Sequence, residues 1–373
     1  MTSESGMKKI QARISGPVCA LVLCSVLAVG LWPFQRPWNA VTWLGSGNGL
    51  RFGDDATILS SGAFQMEGSL EEASCSLEIW LQSGLTSASN SLLSFSTPEN
   101  AQQFSLHQYF SSLILKRQIQ DGQPRAAVIG IEDVFRQIKP KFITITSGTQ
   151  ETAMYVDGAL ASTFPRFRLG KDFTGQLVIG TSPVINDSWS GQLRGLAIYH
   201  RELTPAQVFQ HYQSWTTQGR PELSGDERMI ALYLLNEHAG RVVHNAVQPG
   251  IDLRIPKRYS LLHQEFLEPL WREYKPGWRH WASILLNIVG FIPVGFFICA
   301  YWSSLCPTTR ATLAITVMGL AVSLTIEVLQ SYLPTRNSGT TDLLTNTLGT
   351  FLGVRLYGSN AMRTLFAKVC EAL

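Results

Sequence analysis

The chain has 373 residues, 45% of them hydrophobic and only 15% charged, with a formal net charge of +3. That charged fraction falls well below the roughly 25% of a soluble domain, and its deficit sits at the two ends of the chain. The small basic excess, without a basic block interleaved with aromatics, excludes a nucleic-acid partner. The six cysteines (19, 24, 75, 299, 306 and 370) have no metal-ligand spacing, and only Cys75 lies in the long middle segment, so no disulfide framework can form there.

Residues 1–13 read as a cytoplasmic tail carrying Lys8, Lys9 and Arg13. Residues 14–34, ISGPVCALVLCSVLAVGLWPF, contain no charge and are long enough for a bilayer core that needs about 20 helical residues. They read as a transmembrane anchor, or else as a signal peptide with a small-residue site at Ala28-Val29-Gly30. Bulky Leu23 before Cys24 argues against a lipoprotein. Either reading places the middle of the chain outside the cell membrane.

From about residue 44 the pattern changes to short period-2 runs broken by Gly, Ser, Asn and Asp. CSLEIWLQ, FSLHQYF, SLILKRQ, KFITITSG, TAMYVDG, QLVIGTS and LRGLAIYH read as strands, and Asp157-Gly158 as a two-residue hairpin turn. Many short strands without intervening helices predict an antiparallel sandwich. LTPAQVFQHYQSW then reads as one helix, capped by Thr204 with Pro205 at its first position. ALYLLNEHAGRVVHNAVQPGIDLRIP adds a further strand pair to the same exported domain, placed at 40–255.

The order of LEIWLQ, ITITSGTQETAMYVDGAL and LVIGTSPVINDSWSGQLRGLAIYHRELTPAQV resembles laminin-G-like, concanavalin A-type jelly rolls over roughly 45–215. The resemblance implies a two-sheet β-sandwich that binds carbohydrate or protein. It does not bring chemistry with it. Glycosidases on this fold place two carboxylates across one sugar bond, and their E-x-D-x-x-E strand is absent, since LEIWLQ offers only Glu78. No nucleotide-binding loop, zinc helix or nucleophile elbow is present, so a cofactor-dependent enzyme is not expected and no cofactor is implied. Asp54, Asp55 and Asp187 could ligate calcium, although isolated Asp residues in turns more often cap or face solvent.

Residues 256–280 form an interfacial connector, with Trp271, Tyr274, Trp278 and Trp281 as an aromatic anchor. Three further spans are expected at 281–302, 311–333 and 340–357, the last shorter and bounded by Asp342 and Arg355, with a cytoplasmic tail at 358–373. An inside N-terminus places Arg310, Arg355, Arg363 and Lys368 inside and residues of about 35–280 on the exported side. Arg272, Lys275, Arg279 and Arg336 then lie outside, against the usual bias. The fold class is therefore multidomain: an all-β sandwich plus a bundle of about four transmembrane helices, in a bacterial plasma membrane.

Polar groups interrupt these spans. Ser323, Glu327 and Gln330 share one helix face, as do Asp342, Asn346, Gly349 and Gly353, while Asn287 and Gly290 stand alike in the preceding span. Such stripes should face one another, with Gly290, Gly349 and Gly353 letting helices approach closely. A charge near a bilayer centre costs at least about 2.5 kcal/mol, so Glu327 either pairs, with Arg336 and Asn346 as candidates, or stays protonated. Two readings stay open: interhelical hydrogen bonds only, or a polar pocket for a head group, ion or proton.

N-x-x-G-F-I-P-V-G at 287–295, E-x-x-Q at 327–330 followed by P-x-R ending at Arg336, and D-x-x-x-N-x-x-G-x-x-x-G at 342–353 are similar to the VanZ-like membrane family. The resemblance covers roughly 278–357. It departs from the family at Ser283, where an Asp often precedes the Asn by four residues. It implies an envelope membrane protein, with a family name derived from glycopeptide (teicoplanin) resistance. The expected intramembrane polar set is Asn287, Glu327, Gln330, Arg336, Asp342 and Asn346, with membrane lipid and a glycan or surface protein as partners. Three functions compete: an envelope protein with a glycan- or protein-binding module, an intramembrane enzyme or transporter acting on a lipid-linked precursor, and a structural anchor for an adhesion module.

Overall fold

The computed structural model describes residues 2–66, 74–120, 124–222, 228–247, 250–264, 266–273, 278–305 and 311–372. Tyr274, Lys275, Cys306 and Arg310, which figure in the sequence-based expectations, lie outside the described residues. Contacts divide the chain into two compact units, Arg36–Gln264 and a second made of Met1–Gln35 with Glu265–Leu373.

The helix α1 (Thr2–Leu31) precedes the first unit. The strands begin with β1 (Val41–Trp43), β2 (Leu50–Phe52), β3 (Ile58–Phe64), β4 (Cys75–Ser83), β5 (Ser89–Ser96), β6 (Phe104–Tyr109), β7 (Ser112–Gln120) and β8 (Pro124–Ile131). Next come β9 (Lys141–Ser147), β10 (Glu151–Val156), β11 (Ala159–Pro165), β12 (Gly175–Ile179) and β13 (Gly191–Tyr199). After the helix α2 (Pro205–Gln218), β14 (Met229–Tyr233), β15 (Val242–Val243) and β16 (Leu253–Arg254) complete the unit. One sheet runs β1-β2-β13-β4-β9-β10-β11, with β14 also on β13; the other runs β15-β16-β3-β12-β5-β6-β7-β8. Every pairing between these strands is antiparallel, giving the two-layer sandwich expected from the alternating runs.

Alternation decides which residues fill the sandwich. Leu77, Ile79 and Leu81 of β4, with Leu193, Leu196 and Ile198 of β13, point inward against Leu93, Phe95, Leu106 and Leu177 of the other sheet. The Asp157-Gly158 turn adopts positive φ at both residues (52° and 78°), the geometry of a type I′ hairpin.

A second apolar cluster lies on the outer face of the first sheet, where α2 packs Val208 and Trp215 against Phe142, Tyr155, Ala197 and Tyr199. Thr204 and Gln207 form a capping box at the start of α2, with Pro205 opening the helix, and Gly219 ends it in the left-handed conformation. Beneath this helix Glu78 is fully buried. Its carboxylate accepts from Tyr199 OH (2.7 Å) and Trp215 Nε1 (3.1 Å), and pairs with His211 Nδ1 at 2.8 Å. Gly195 makes room for this arrangement, because a Cβ there would run into the Trp215 ring.

The second unit contains α1, the one-turn α3 (Leu270–Glu273), α4 (Trp278–Leu305), α5 (Ala311–Gln330), α6 (Thr340–Gly358) and α7 (Asn360–Ala372). Among the described residues three helices are long and apolar enough to cross a membrane: Arg13–Leu31, His280–Ser303 and Ala311–Gln330. The helix α6, expected as a weaker span, is not one of them. Asp342 and Arg355 dilute its hydropathy, and its buried residues begin with the small or polar Asn346, Gly349, Thr350 and Gly353 before Val354 and Tyr357 join the apolar cluster. The segment read as a tail after residue 358 is helical, and Phe366 of α7 packs on Phe296 and Tyr357 at 5.7 and 6.2 Å.

The helix α6 meets α4 at backbone distance. A Cβ on Gly349 would clash with Ile288 O, one on Gly353 with Ile292 O, and one on Gly295 with Thr350 O. Close approach of this kind substitutes for hydrophobic driving force where lipid is the solvent. Gly290 was expected at this interface and is not there: it is exposed, and a Cβ on it would meet nothing within 4 Å. Gly295, five residues further along α4, holds the position instead, because Gly290 lies on a different face of that helix.

Candidate functional site

The polar residues of the helical unit resolve into three groups. The first is Asn346, 5% exposed, whose Nδ2 donates to Ser323 Oγ on α5 at 3.0 Å. Among the described residues its Oδ1 has no hydrogen-bond partner. The next group serves the end of α1, whose last carbonyls have no acceptor role inside their own helix. Gln330 Nε2 donates to Gly30 O at 2.7 Å, and Arg336 Nε donates to Trp32 O at 2.8 Å. These two side chains cap α1 from another part of the chain, and a cation there also complements the negative end of the helix dipole.

The third group surrounds the start of α6. Glu327 is 1% exposed, and its Oε2 accepts from the Gly339 amide at 2.8 Å. The expectation that Arg336 or Asn346 would pair with Glu327 is thus corrected: those side chains bond elsewhere, and a backbone N–H at the amino end of a helix takes the carboxylate. Asp342 in the first turn of α6 accepts from Asn287 Nδ2 of α4 at 2.7 Å. Glu273 Oε2 accepts from Thr341 N at 2.9 Å and from the Thr341 hydroxyl. Ahead of α3, Glu268 lies along the α5–α6 loop, with Glu268 N donating to Ser338 O (2.8 Å) and Thr340 N to Glu268 O (3.1 Å).

These segments enclose a pocket of about 190 Å³, lined by Glu268, Glu273, His280, Ser283, Ile284, Asn337, Gly339, Thr341 and Asp342. Three carboxylates face one imidazole. Such a lining favours a cationic or hydroxyl-rich group over an anion. Of the polar set expected from sequence, only Asp342 lines the pocket directly, with Ser283 beside it; Asn287 and Glu327 support it through one hydrogen bond each, and Gln330, Arg336 and Asn346 lie apart from it. Glu268, Glu273 and His280 were missed, because they precede the spans in an aromatic-rich stretch that reads as an interfacial anchor. Within that anchor Trp278 and Trp281 are exposed.

In the sandwich, Asp187 is drawn into the protein. Its Oδ1 accepts from Ser182 N (2.6 Å) and its Oδ2 from the Ser91 hydroxyl (2.7 Å), which also contacts His107 Nδ1 at 3.1 Å. Burial pushes the Asp187 carboxyl up to about 6, against those stabilising bonds. Burial and the nearby Lys116 hold His107 down at about 4. Asp55 accepts from Asn186 at 3.4 Å, and among the described residues no group of three or more His, Cys, Asp or Glu is placed to hold a metal ion. Glu78, the lone carboxylate of its strand, is inside the protein under α2 and reaches no open surface.

A two-sheet antiparallel sandwich joined to helices with three span-length apolar stretches defines a membrane-associated, two-module protein. Residues 229–362 match the VanZ/LLP1 family model and residues 53–209 match that of the concanavalin A-like lectin/glucanases superfamily, so the chain carries a VanZ-like domain behind a concanavalin A-like one. The first of these matches begins in β14, upstream of the compact helical unit. No curated protein matches the chain.

Among solved structures, the chain is similar to the binding domain of Paraclostridial mosquitocidal protein 1 (14% identity, TM-score 0.38, 49% of this chain and 47% of that one). It is also similar to the ligand-binding domain of botulinum neurotoxin serotype D, in complex with N-acetylneuraminic acid (15%, TM-score 0.36, 49% and 46%). A third likeness is to the SAP-like pentraxin of Limulus polyphemus (14%, TM-score 0.37, 61% and 96%). The chain thus spans about half the length of the toxin domains it matches. Likenesses of this size carry no weight beside the strand topology itself.

Proposed function

We propose that this is a multi-pass protein of the bacterial cell envelope, in which the VanZ-like unit receives the polar head group of an envelope lipid or precursor and the exported sandwich binds surface glycan or protein. The observation that carries the membrane half is the acidic pocket at the start of α6, with Glu327 buried one hydrogen bond away from its rim. Carboxylates kept next to a membrane unit are costly and are held where they contact a ligand, an ion or one another. Three of them around one opening suit an amine or a cluster of hydroxyls. The side chains that cap the end of α1 support a retained first helix, since Gln330 and Arg336 take its last carbonyls.

Replacing Glu327 by Gln and Asp342 by Asn, separately and in the intact chain, tests this reading. Each variant should keep normal membrane levels, because both substitutions retain an acceptor oxygen for Gly339 N or Asn287. Each should shift an envelope phenotype such as teicoplanin susceptibility. Normal levels with an unchanged phenotype in both would leave the polar groups as interhelical hydrogen bonds only and would sink the pocket.

A further inference from the structure

The outer face of the first sheet is covered by α2 over only part of its area. Beyond the helix, the strand registers bring three polar side chains into one row. Gln192 of β13 stands directly opposite Arg51 of β2 on one side and Gln82 of β4 on the other. Directly opposed residues of an antiparallel pair share a face, with Cβ atoms about 5 Å apart. That face is the outer one, because the flanking Leu50, Phe52, Leu81 and Leu193 all enter the core. A pocket of about 250 Å³ opens over this row, lined also by Gly84, Ser190 and Gly191.

The chemistry of the row is donor-rich. Among the described residues the guanidinium of Arg51 has no hydrogen bond or ion pair, and it is exposed. Arg194 NH2 donates to Gln192 Oε1 at 3.0 Å, while the Arg194 guanidinium rests over the Trp80 ring at 5.6 Å. With its oxygen taken, Gln192 has its amide NH2 left to offer. The Gln82 amide is likewise without a partner among the described residues. No carboxylate lines the pocket. A free planar guanidinium beside two amides matches a ligand carrying a carboxylate or phosphate together with hydroxyl groups.

We infer that this pocket is a binding site for an anionic saccharide, with Arg51 taking the acidic group and the Gln192 and Gln82 amides taking neighbouring hydroxyls. The inference rests on the reading of the sandwich as a glycan-binding module, and it names a subsite and a ligand class within that reading.

The test uses the full chain in detergent micelles against immobilised polygalacturonate, its carboxyl-reduced neutral form, a phosphomannan and an array of neutral glycans. Polygalacturonate or phosphomannan should bind, the stronger of the two identifying carboxylate or phosphate as the source of charge, and binding should weaken with added salt. Arg51→Ala should reduce it about tenfold or more, as loss of a charge-assisted bidentate contact does, and Arg51→Lys should restore only part. Since Arg51 is exposed, its variants should unfold at the parent temperature. Equal binding by Arg51→Ala, or undiminished binding of the carboxyl-reduced polymer with no phosphomannan binding, overturns this site while leaving a glycan-binding module elsewhere on the sandwich. No binding to any glycan overturns the glycan reading of the sandwich and the site with it, leaving a protein as its ligand.

Discussion

Removing the Glu78 side chain should be the most damaging single substitution on the outer face of the first sheet. In Glu78→Ala the hydroxyl of Tyr199, the indole N–H of Trp215 and the His211 ring all lose one acceptor at 2.7–3.1 Å, in a place that water does not reach. Each hydrogen bond to a charged group contributes about 1.5–3 kcal/mol, but the three share one carboxylate and will not add. Breaking a buried pair by deleting one partner typically costs about 3–5 kcal/mol, and that is the range expected here. For a domain of this size it corresponds to a fall of roughly 6–20 °C in the unfolding midpoint. Glu78→Gln keeps the shape and an acceptor for Tyr199 and Trp215, so it should lose about 1–2 kcal/mol. Thermal unfolding of the intact chain in micelles, followed by Trp fluorescence, reads both, because Trp215 belongs to the network. A midpoint for Glu78→Ala within 2 °C of the parent would refute the idea that this carboxylate fastens α2 to the sheet.

The pair Asp187 and His107 gives a signed pH dependence. The folded Asp187 carboxyl titrates near 6 instead of at its ordinary 3.8, so the folded state binds the extra proton and this group's contribution is lost as pH rises through that window. Asp187→Asn should therefore gain about 2 kcal/mol on the parent between pH 4 and pH 7, measured by urea unfolding at each pH; a difference that stays constant would remove the buried acid from the account. His107 runs the other way, from an ordinary 6.5 down to about 4, so its neutral form adds stability as pH rises, and His107→Gln should fall behind the parent by about 3 kcal/mol over the same range. In the helical unit, Gly353→Val should drive a branched side chain into Ile292 O and cost at least about 1–3 kcal/mol, whereas Gly290→Ala, in open space, should stay within about 0.5 kcal/mol. Detergent stability of both variants decides, and equal loss would contradict the close α4–α6 contact. A double-mutant cycle on Asn346→Ala and Ser323→Ala should return a coupling of about 0.6–1.7 kcal/mol; zero coupling would mean that their 3.0 Å bond contributes nothing net in lipid.

Local signals carried a good part of this molecule. The runs CSLEIWLQ, KFITITSG and TAMYVDG became strands because period-2 alternation is a backbone property, and Asp157-Gly158 turned because those residues tolerate positive φ. Thr204, Pro205 and Gln207 marked the start of α2 within a few residues of chain. SNSLLSFS and PRAAVIGI, by contrast, gave no readable alternation and still form β5 and β8, held by pairing with neighbours already in place.

The sequence by itself determined which residue types each element would carry: apolar helices at the two ends, a sandwich between them, and carboxylates and amides at helical spacing near the C-terminus. It could not determine their partners. Glu78 looked like a lone carboxylate on a strand and is the buried anchor of a helix that lies 127 or more positions away along the chain. Gln330 and Arg336 looked like members of a membrane site and instead close the end of α1, while Glu268, Glu273 and His280, unremarked in an aromatic stretch, line the pocket. Periodicity reports which face of an element a residue occupies, since that depends only on neighbours within a turn or two. Which group meets a side chain across that face depends on contacts between segments far apart in the chain, and only the packed structure fixes those.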